Sequence, residues 1–240
     1  MAELSADVFR TRPDNRNRLA KESRRALRRL SRPSGRSGEL SPLAYNLTIS
    51  HPHRFVWFRV AKVATRTILG YFAEREVPLD VHHAYRMRYP TALFEDYLKF
   101  AFVRHPLPRF VSAWRDKVVN NNYFGFDEPE LARMRDRVEA FAGWASSHDL
   151  CDLRNGDAHL ALQTRLVDLS QVDFLGRLET FDRDFAEVCD RLGLPAAPVT
   201  PRNRTATAQT PATAVSGELR SAVSEMYYRD FQVFGYDPAE

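Results

Sequence analysis

Phe55-Val56-Trp57-Phe58-Arg59-Val60-Ala61-Lys62-Val63-Ala64-Thr65-Arg66-Thr67 is the stretch that decides the fold. From about Arg54 to Val60 it is aromatic and β-branched with no breaker, which predicts a strand. It then breaks into a short loop carrying Lys62, Thr65 and Thr67. From Thr67 to Arg75 a helical pattern follows, with Ile68, Leu69 and Phe72 on one side. Phe100-Ala101-Phe102-Val103-Arg104-His105-Pro106 repeats this grammar. Lys99 to Val103 predicts a second strand, and Pro106 and Pro108 suit the first turn of the next helix, where a missing N–H matters little. Gln171 to Leu175 predicts a third short strand. Strands alternating with helices predict an α/β fold, a single domain built on a P-loop-type parallel sheet flanked by helices.

The remaining helices follow from periodicity. Leu131, Met134, Val138, Phe141 and Ala145 recur at steps of three and four and predict one long amphipathic helix. Phe181, Phe185, Val188 and Leu192 predict another, ending near Gly193 and Pro195. Leu219, Val223, Met226 and Tyr227 predict the last. Residues 195–217, rich in Pro, Thr and Ala, read as a long loop.

Charge divides the chain at about residue 41. Residues 1–40 hold 11 Lys and Arg against 5 Asp and Glu, leaving 24 against 26 in the other 200, so the net charge of +4 belongs to an arm. Residues 1–41 are read as that basic, mobile arm and 42–240 as the α/β domain. Within the arm, Arg24 to Leu30 suggests a short basic helix and Ser31 to Gly38 a linker. No run of 18 apolar residues occurs, and Met1-Ala2-Glu3-Leu4-Ser5 lacks the basic start and apolar stretch of a secretory signal. Cys151 and Cys189 offer neither a disulfide framework nor metal spacing, and both are expected as buried thiols. These features predict a cytoplasmic setting and no resident metal.

Two strand-to-helix edges rich in Lys, Arg, Ser and Thr suggest a ligand with anionic groups at both ends. At the first, the backbone N–H groups of Thr65, Arg66 and Thr67 open a helix toward an anion, the hydroxyls of Thr65 and Thr67 add donors, and Ala64 allows close approach after Val63. The Walker A pattern is absent, since no glycine lies between Gly38 and Gly70. At the second, Arg104 ends a strand, and Arg109 and Ser112 share a helix face; an Arg fork with a hydroxyl suits a phosphate monoester.

At these residues the chain resembles the carbohydrate-type sulfotransferases that use 3′-phosphoadenosine 5′-phosphosulfate (PAPS). Ala61-Lys62-Val63-Ala64-Thr65-Arg66-Thr67 is similar to the loop that holds the 5′-phosphosulfate. Phe102-Val103-Arg104-His105-Pro106, Arg109 and Ser112-Ala113-Trp114-Arg115-Asp116-Lys117 are similar to the motif that holds the 3′-phosphate. His159 with Gln163, Phe174 to Glu179, and Tyr228 to Tyr236 extend the resemblance over roughly residues 53–236. Ala61, Arg66 and His105 stand where the family usually has Pro, Thr and Asp. Arg66 either adds a cation to the 5′ site or turns into a salt bridge.

The resemblance implies a sulfuryl transfer in which Lys62 faces the bridging oxygen. It implies a donor site of Lys62, Val63, Ala64, Thr65, Arg66, Thr67, Arg104 and Ser112. A catalytic base is expected at His82 or His83, between the two motifs. His159 and Gln163 are read as a buried polar pair on one helix face, Trp114 as core, and Glu179 as a charge near a helix start. Asn120 to Phe126 is polar and aromatic, as sugar-contacting loops are, and equally reads as a connection packed by its own rings. The acceptor is expected to be a hydroxyl on a sugar, glycolipid or secondary metabolite. Three other readings stand beside this one: an ATP-dependent kinase of similar architecture, a nucleic-acid-binding protein acting through its arm, and a relative that keeps the fold without turnover.

Overall fold

A computed structural model of the chain describes residue 25 and residues 40–152, 156–195 and 215–240. The basic arm apart from Arg25 and residues 40–41, the linker, and all but the ends of the 195–217 loop lie outside the described residues.

The five-stranded sheet runs β3-β1-β2-β4-β5, with β1 at Tyr45–Ser50, β2 at Phe55–Phe58, β3 at Val81–Met87, β4 at Leu98–Val103 and β5 at Phe174–Arg177. β2, β4 and β5 are parallel neighbours, with Phe58 opposite Ala101 and Ala101 opposite Leu175. These correspond to the three strands predicted from sequence, although the third begins at Phe174, three residues later than the expected Gln171. The other two are antiparallel additions at one edge, so the sheet is mixed. β3 escapes a period-2 reading for a physical reason. Its pairing with β1 shifts register twice, and Arg86 sits at φ 49°, so its buried positions, Val81, Ala84 and Met87, fall three apart.

Every residue of β2 and Phe100–Val103 of β4 are buried, as expected of central strands covered on both faces. Helices α1 (Thr65–Glu74) and α6 (Phe181–Arg191) cover one face through aromatic contacts. Phe55 stacks on Phe72 at 5.2 Å, Trp57 on Phe100 at 6.0 Å, and Tyr71 meets Phe185 edge-on at 5.0 Å. Gly176 in β5 is dictated by this layer, because a Cβ there would lie 2.4 Å from the Phe102 ring. A second core gathers around Val103. It packs helices α2 (Pro106–Trp114), α3 (Glu128–Asp136), α4 (Val138–Ser146) and α7 (Gly217–Met226) through Phe110, Met134, Phe141 and Val223. The predicted long helix is two, because Arg137 between α3 and α4 has extended dihedrals, φ −133° and ψ 119°. The last predicted helix ends at its C-cap Tyr227 as expected, and a further helix, α8 (Tyr228–Phe234), follows it. Between α4 and α6 in the chain, α5 is a single turn, Gln163–Leu166. Cys189 is buried as expected; Cys151 lies exposed in a turn.

Candidate active site

The parallel order of β2 and β4 sends the chain out of the same sheet edge twice, one strand apart. From β2 comes the turn carrying Lys62. Lys62 has φ 68° and Ala64 φ 43°, so two non-glycine residues occupy the left-handed region within three positions. Such conformations cost about 1–3 kcal/mol each and persist where the surroundings over-determine them. The kink swings the chain into α1, whose N-cap is Ala64 with no side-chain cap and no acid in the first turn. The first-turn N–H groups of a ten-residue helix therefore face outward without a carboxylate over them. Thr65 Oγ1 donates to the Val60 carbonyl at 3.3 Å, Thr67 is buried, and Arg66 is exposed with no ion pair among the described residues.

The Lys62 ammonium lies 3.0 Å from Asp116 Oδ2, and Lys117 reaches the same oxygen at 3.4 Å. Asp116 and Lys117 belong to a π-helical turn, Arg115–Val119, that continues α2. Burial pulls the Lys62 pKa below that of an ordinary lysine, against the pull of Asp116. Burial also opposes charge on Asp116, but Lys62 and Lys117 together hold its carboxyl below the usual range.

The second turn works differently. At the start of α2, Leu107 N–H donates to His105 Nδ1 at 3.2 Å, Arg109 N–H to the His105 carbonyl, and positions 106 and 108 are prolines. The backbone here has no donor left for an anion, so side chains must supply them. Arg104 and Ser112 are half-buried, and among the described residues neither the guanidinium nor the hydroxyl has a hydrogen-bond or ion-pair partner. The Arg104 backbone is clamped on both sides by buried Gln163: N–H to Oε1 at 2.9 Å and Nε2 to the carbonyl at 2.7 Å. His105 thus caps the start of α2 with its side chain, while its Nε2 donates to the Asp237 carbonyl at 3.0 Å.

Several sequence-level roles change. Arg109 is not part of an anion fork. It is buried, and its guanidinium donates to the Ala61 carbonyl at 3.1 Å and the Ala158 carbonyl at 3.3 Å, a strut between the Lys62 turn and the 157–159 turn. Glu179 accepts from His105 N–H at 2.8 Å and from Tyr236 O–H at 3.0 Å, which fastens the C-terminal tail beside Arg104. His159 does not share a helix face with Gln163. It sits in the turn before the single-turn helix at Gln163–Leu166 and pairs with Asp157. Trp114 packs against the second core, its Nε1 donating to the Met134 carbonyl.

His82 and His83 lie on β3, next to β1 at the sheet edge. The His82 carbonyl accepts from Thr48 Oγ1 at 2.8 Å and from Arg59 at 3.2 Å. Burial, with Arg59 adding to it, lowers the His82 pKa to about 4, and His83 is driven well below its ordinary value by the same causes. Arg59 acts on both histidines of this strand and His82 adds to the lowering of His83, while Lys117 and Lys62 act on His159.

No helix among the described residues is long and apolar enough to cross a membrane. No group of three or more His, Cys, Asp or Glu suited to a metal ion occurs among them. No curated protein and no solved structure matches the chain. The sulfotransferase family profile spans residues 45–237, from β1 through both turns and the Glu179 clamp to the C-terminal tail, and the chain belongs to that family.

Proposed function

We propose that this protein moves a sulfuryl group from PAPS to a hydroxyl of a sugar, glycolipid or secondary metabolite. The family makes sulfuryl transfer the chemistry; the donor and acceptor are the reading offered here. One observation carries it. A half-buried guanidinium and a hydroxyl, Arg104 and Ser112, without a hydrogen-bond or ion-pair partner among the described residues, stand one strand away from a turn that combines Lys62 with an uncapped helix N-terminus. That is a site for two separate phosphate-like groups rather than one.

PAPS supplies an activated sulfuryl group on its 5′-phosphate and a second anionic handle at its 3′ position. Arg104 and Ser112 hold the 3′-phosphate by charge-assisted hydrogen bonds. The N–H groups at Thr65, Arg66 and Thr67 hold the 5′ end, and exposed Arg66 adds positive charge. Lys62 stabilises the oxygen on which negative charge grows as the sulfuryl group departs. Asp116 keeps the ammonium in place before the donor arrives. The protein's contribution is positioning and charge, as in phosphoryl transfer. Asn120 to Phe126, which follows the π-helical turn and folds back through Tyr123 N–H to the Lys117 carbonyl at 2.9 Å, borders the acceptor side.

The test is incubation of the full chain with sulfur-labelled PAPS and a panel of sugar, glycolipid and small-molecule alcohols, without magnesium. Label is expected on at least one alcohol. Phosphoryl transfer from ATP with magnesium, and none of sulfur from PAPS, would overturn the reading in favour of a kinase.

A further inference from the structure

Sulfuryl transfer to an alcohol must dispose of the hydroxyl proton, and the side chain for that task needs a lone pair facing the Lys62 pocket. Three histidines are in question: His82 and His83 on the sheet edge, and His159. His159 is tied to the Lys62 turn by a continuous run of contacts. Its Nδ1 lies 2.6 Å from Asp157 Oδ1, and its backbone N–H donates to the same oxygen at 2.8 Å. Tyr123 O–H donates to Asp157 Oδ2 at 2.8 Å, and the Tyr123 ring meets the His159 ring edge-on at 5.3 Å. The Lys117 ammonium sits 4.5 Å from the centre of that Tyr123 ring and 3.4 Å from Asp116, which holds Lys62. The chain of contacts Lys62–Asp116–Lys117–Tyr123–Asp157–His159 therefore runs around one site. The buried Arg109 strut fixes its two ends, Ala61 beside Lys62 and Ala158 beside His159, to a single guanidinium.

The geometry also sets the tautomer. An ionised carboxylate only accepts, so Nδ1 must carry the hydrogen and Nε2 the lone pair. We infer that His159, oriented by Asp157, is the general base that takes the proton from the acceptor hydroxyl through Nε2. This rests on the proposed sulfuryl transfer from PAPS. In the step, Nε2 gains the hydroxyl proton and the acceptor oxygen forms a bond to sulfur. The bond from sulfur to the bridging oxygen breaks, its electron pair staying on the 5′-phosphate beside Lys62. His159 is the catalytic residue; Asp157 and Tyr123 position it.

The groups around His159 keep it in the unprotonated form a base needs. Burial, Lys117 and Lys62 pull its pKa below the ordinary value, and Asp157 pushes it back up and favours the proton once it arrives. Burial opposes charge on Asp157 too, yet the hydrogen bonds from His159 and Tyr123 hold it ionised. His159 is accordingly neutral at neutral pH.

Two measurements on the full chain test this. In nitrogen-detected spectra of labelled histidines, His159 is expected as the Nδ1–H tautomer at neutral pH; an Nε2–H tautomer overturns the inference. With labelled PAPS and the alcohol panel, His159→Asn is expected to lower transfer by about 100-fold or more, the usual scale of general-base loss. Its affinity for adenosine 3′,5′-bisphosphate is expected to stay within about threefold of the parent, since base removal spares donor contacts. Asp157→Asn is expected to shift the tautomer and lower transfer together. Parent-level transfer by His159→Asn, or abolition by His82→Asn with His159→Asn still active, overturns it. A parent that neither binds the bisphosphate nor transfers label sinks the underlying reading, and the tautomer still decides the dyad.

Discussion

Replacing Lys62 by alanine should separate catalysis from folding, and the structure gives both magnitudes. The ammonium is 3.0 Å from Asp116 Oδ2. At that distance and an effective dielectric of about 20, unit charges attract by roughly 5 kcal/mol. Withdrawing both groups partly from water cancels most of this. Asp116 also keeps Lys117 at 3.4 Å, so the carboxylate is not stranded. The net loss of stability is then about 1 kcal/mol or less, the scale of a partly exposed pair. Catalysis loses far more. Removing one preorganised donor at an oxygen that gains charge costs about 3–4 kcal/mol, or 10²–10³ in rate. The assay pairs initial rates of label transfer from PAPS with urea unfolding of the same preparation. A drop of at least about 100-fold in rate with a nearly unmoved midpoint is expected. Transfer at the parent rate would refute the placement of Lys62. A loss that follows unfolding would refute the separation.

Three further outcomes follow from other residues. Arg104→Ala removes a charge-assisted contact worth about 1.5–3 kcal/mol, so adenosine 3′,5′-bisphosphate should bind roughly 10- to 100-fold more weakly by calorimetry, with the fold retained. Gly176→Ala drives a Cβ into the buried Phe102 ring and should destabilise the chain by about 1–3 kcal/mol in urea, since the sheet cannot open there without disturbing β4. His82 is held neutral by burial, with its pKa lowered to about 4. Its unfolded pKa is near 6.5, so the unfolded chain binds the extra proton first, and stability present above pH of about 6.5 is lost as pH falls toward 4. The loss is on the order of 2–3 kcal/mol after allowance for solvent around the partly exposed ring. His82→Gln should flatten this acid limb in pH-dependent unfolding; an unchanged limb would show that His82 does not titrate in this range.

The fold was legible where packing is uniform and obscure where it is not. β2 and β4 are short apolar runs, and buried strands covered on both faces have that look, whereas β5 at the sheet edge is only partly buried. β3 carries His82, His83 and Arg86 and is bulged, so neither hydrophobicity nor alternation marks it. The helix over Leu131 to Ala145 kept its apolar stripe across a break at Arg137, because periodicity records which side is buried and not whether the backbone is continuous. In the candidate site, Lys62 and Arg104 are marked by their position after strands, and Ser112 by its place on the helix that follows the second. Arg109 is not so marked. The same residue type at the same helical spacing serves as an anion fork or as a buried strut, and only the carbonyls of Ala61 and Ala158 decide which. The Asp157–His159 pair lay in plain view as Asp-x-His, a spacing too short and common to signal anything until Tyr123 and the Lys117 ammonium close around it.

The most direct measurement is a crystal structure of this chain with adenosine 3′,5′-bisphosphate. The account predicts the 5′-phosphate over the Lys62–Thr67 turn, the 3′-phosphate against Arg104 and Ser112, and the Lys62 ammonium drawn from Asp116 toward the 5′ end. A nucleotide bound elsewhere, or one that leaves the Arg104 guanidinium untouched, would contradict it.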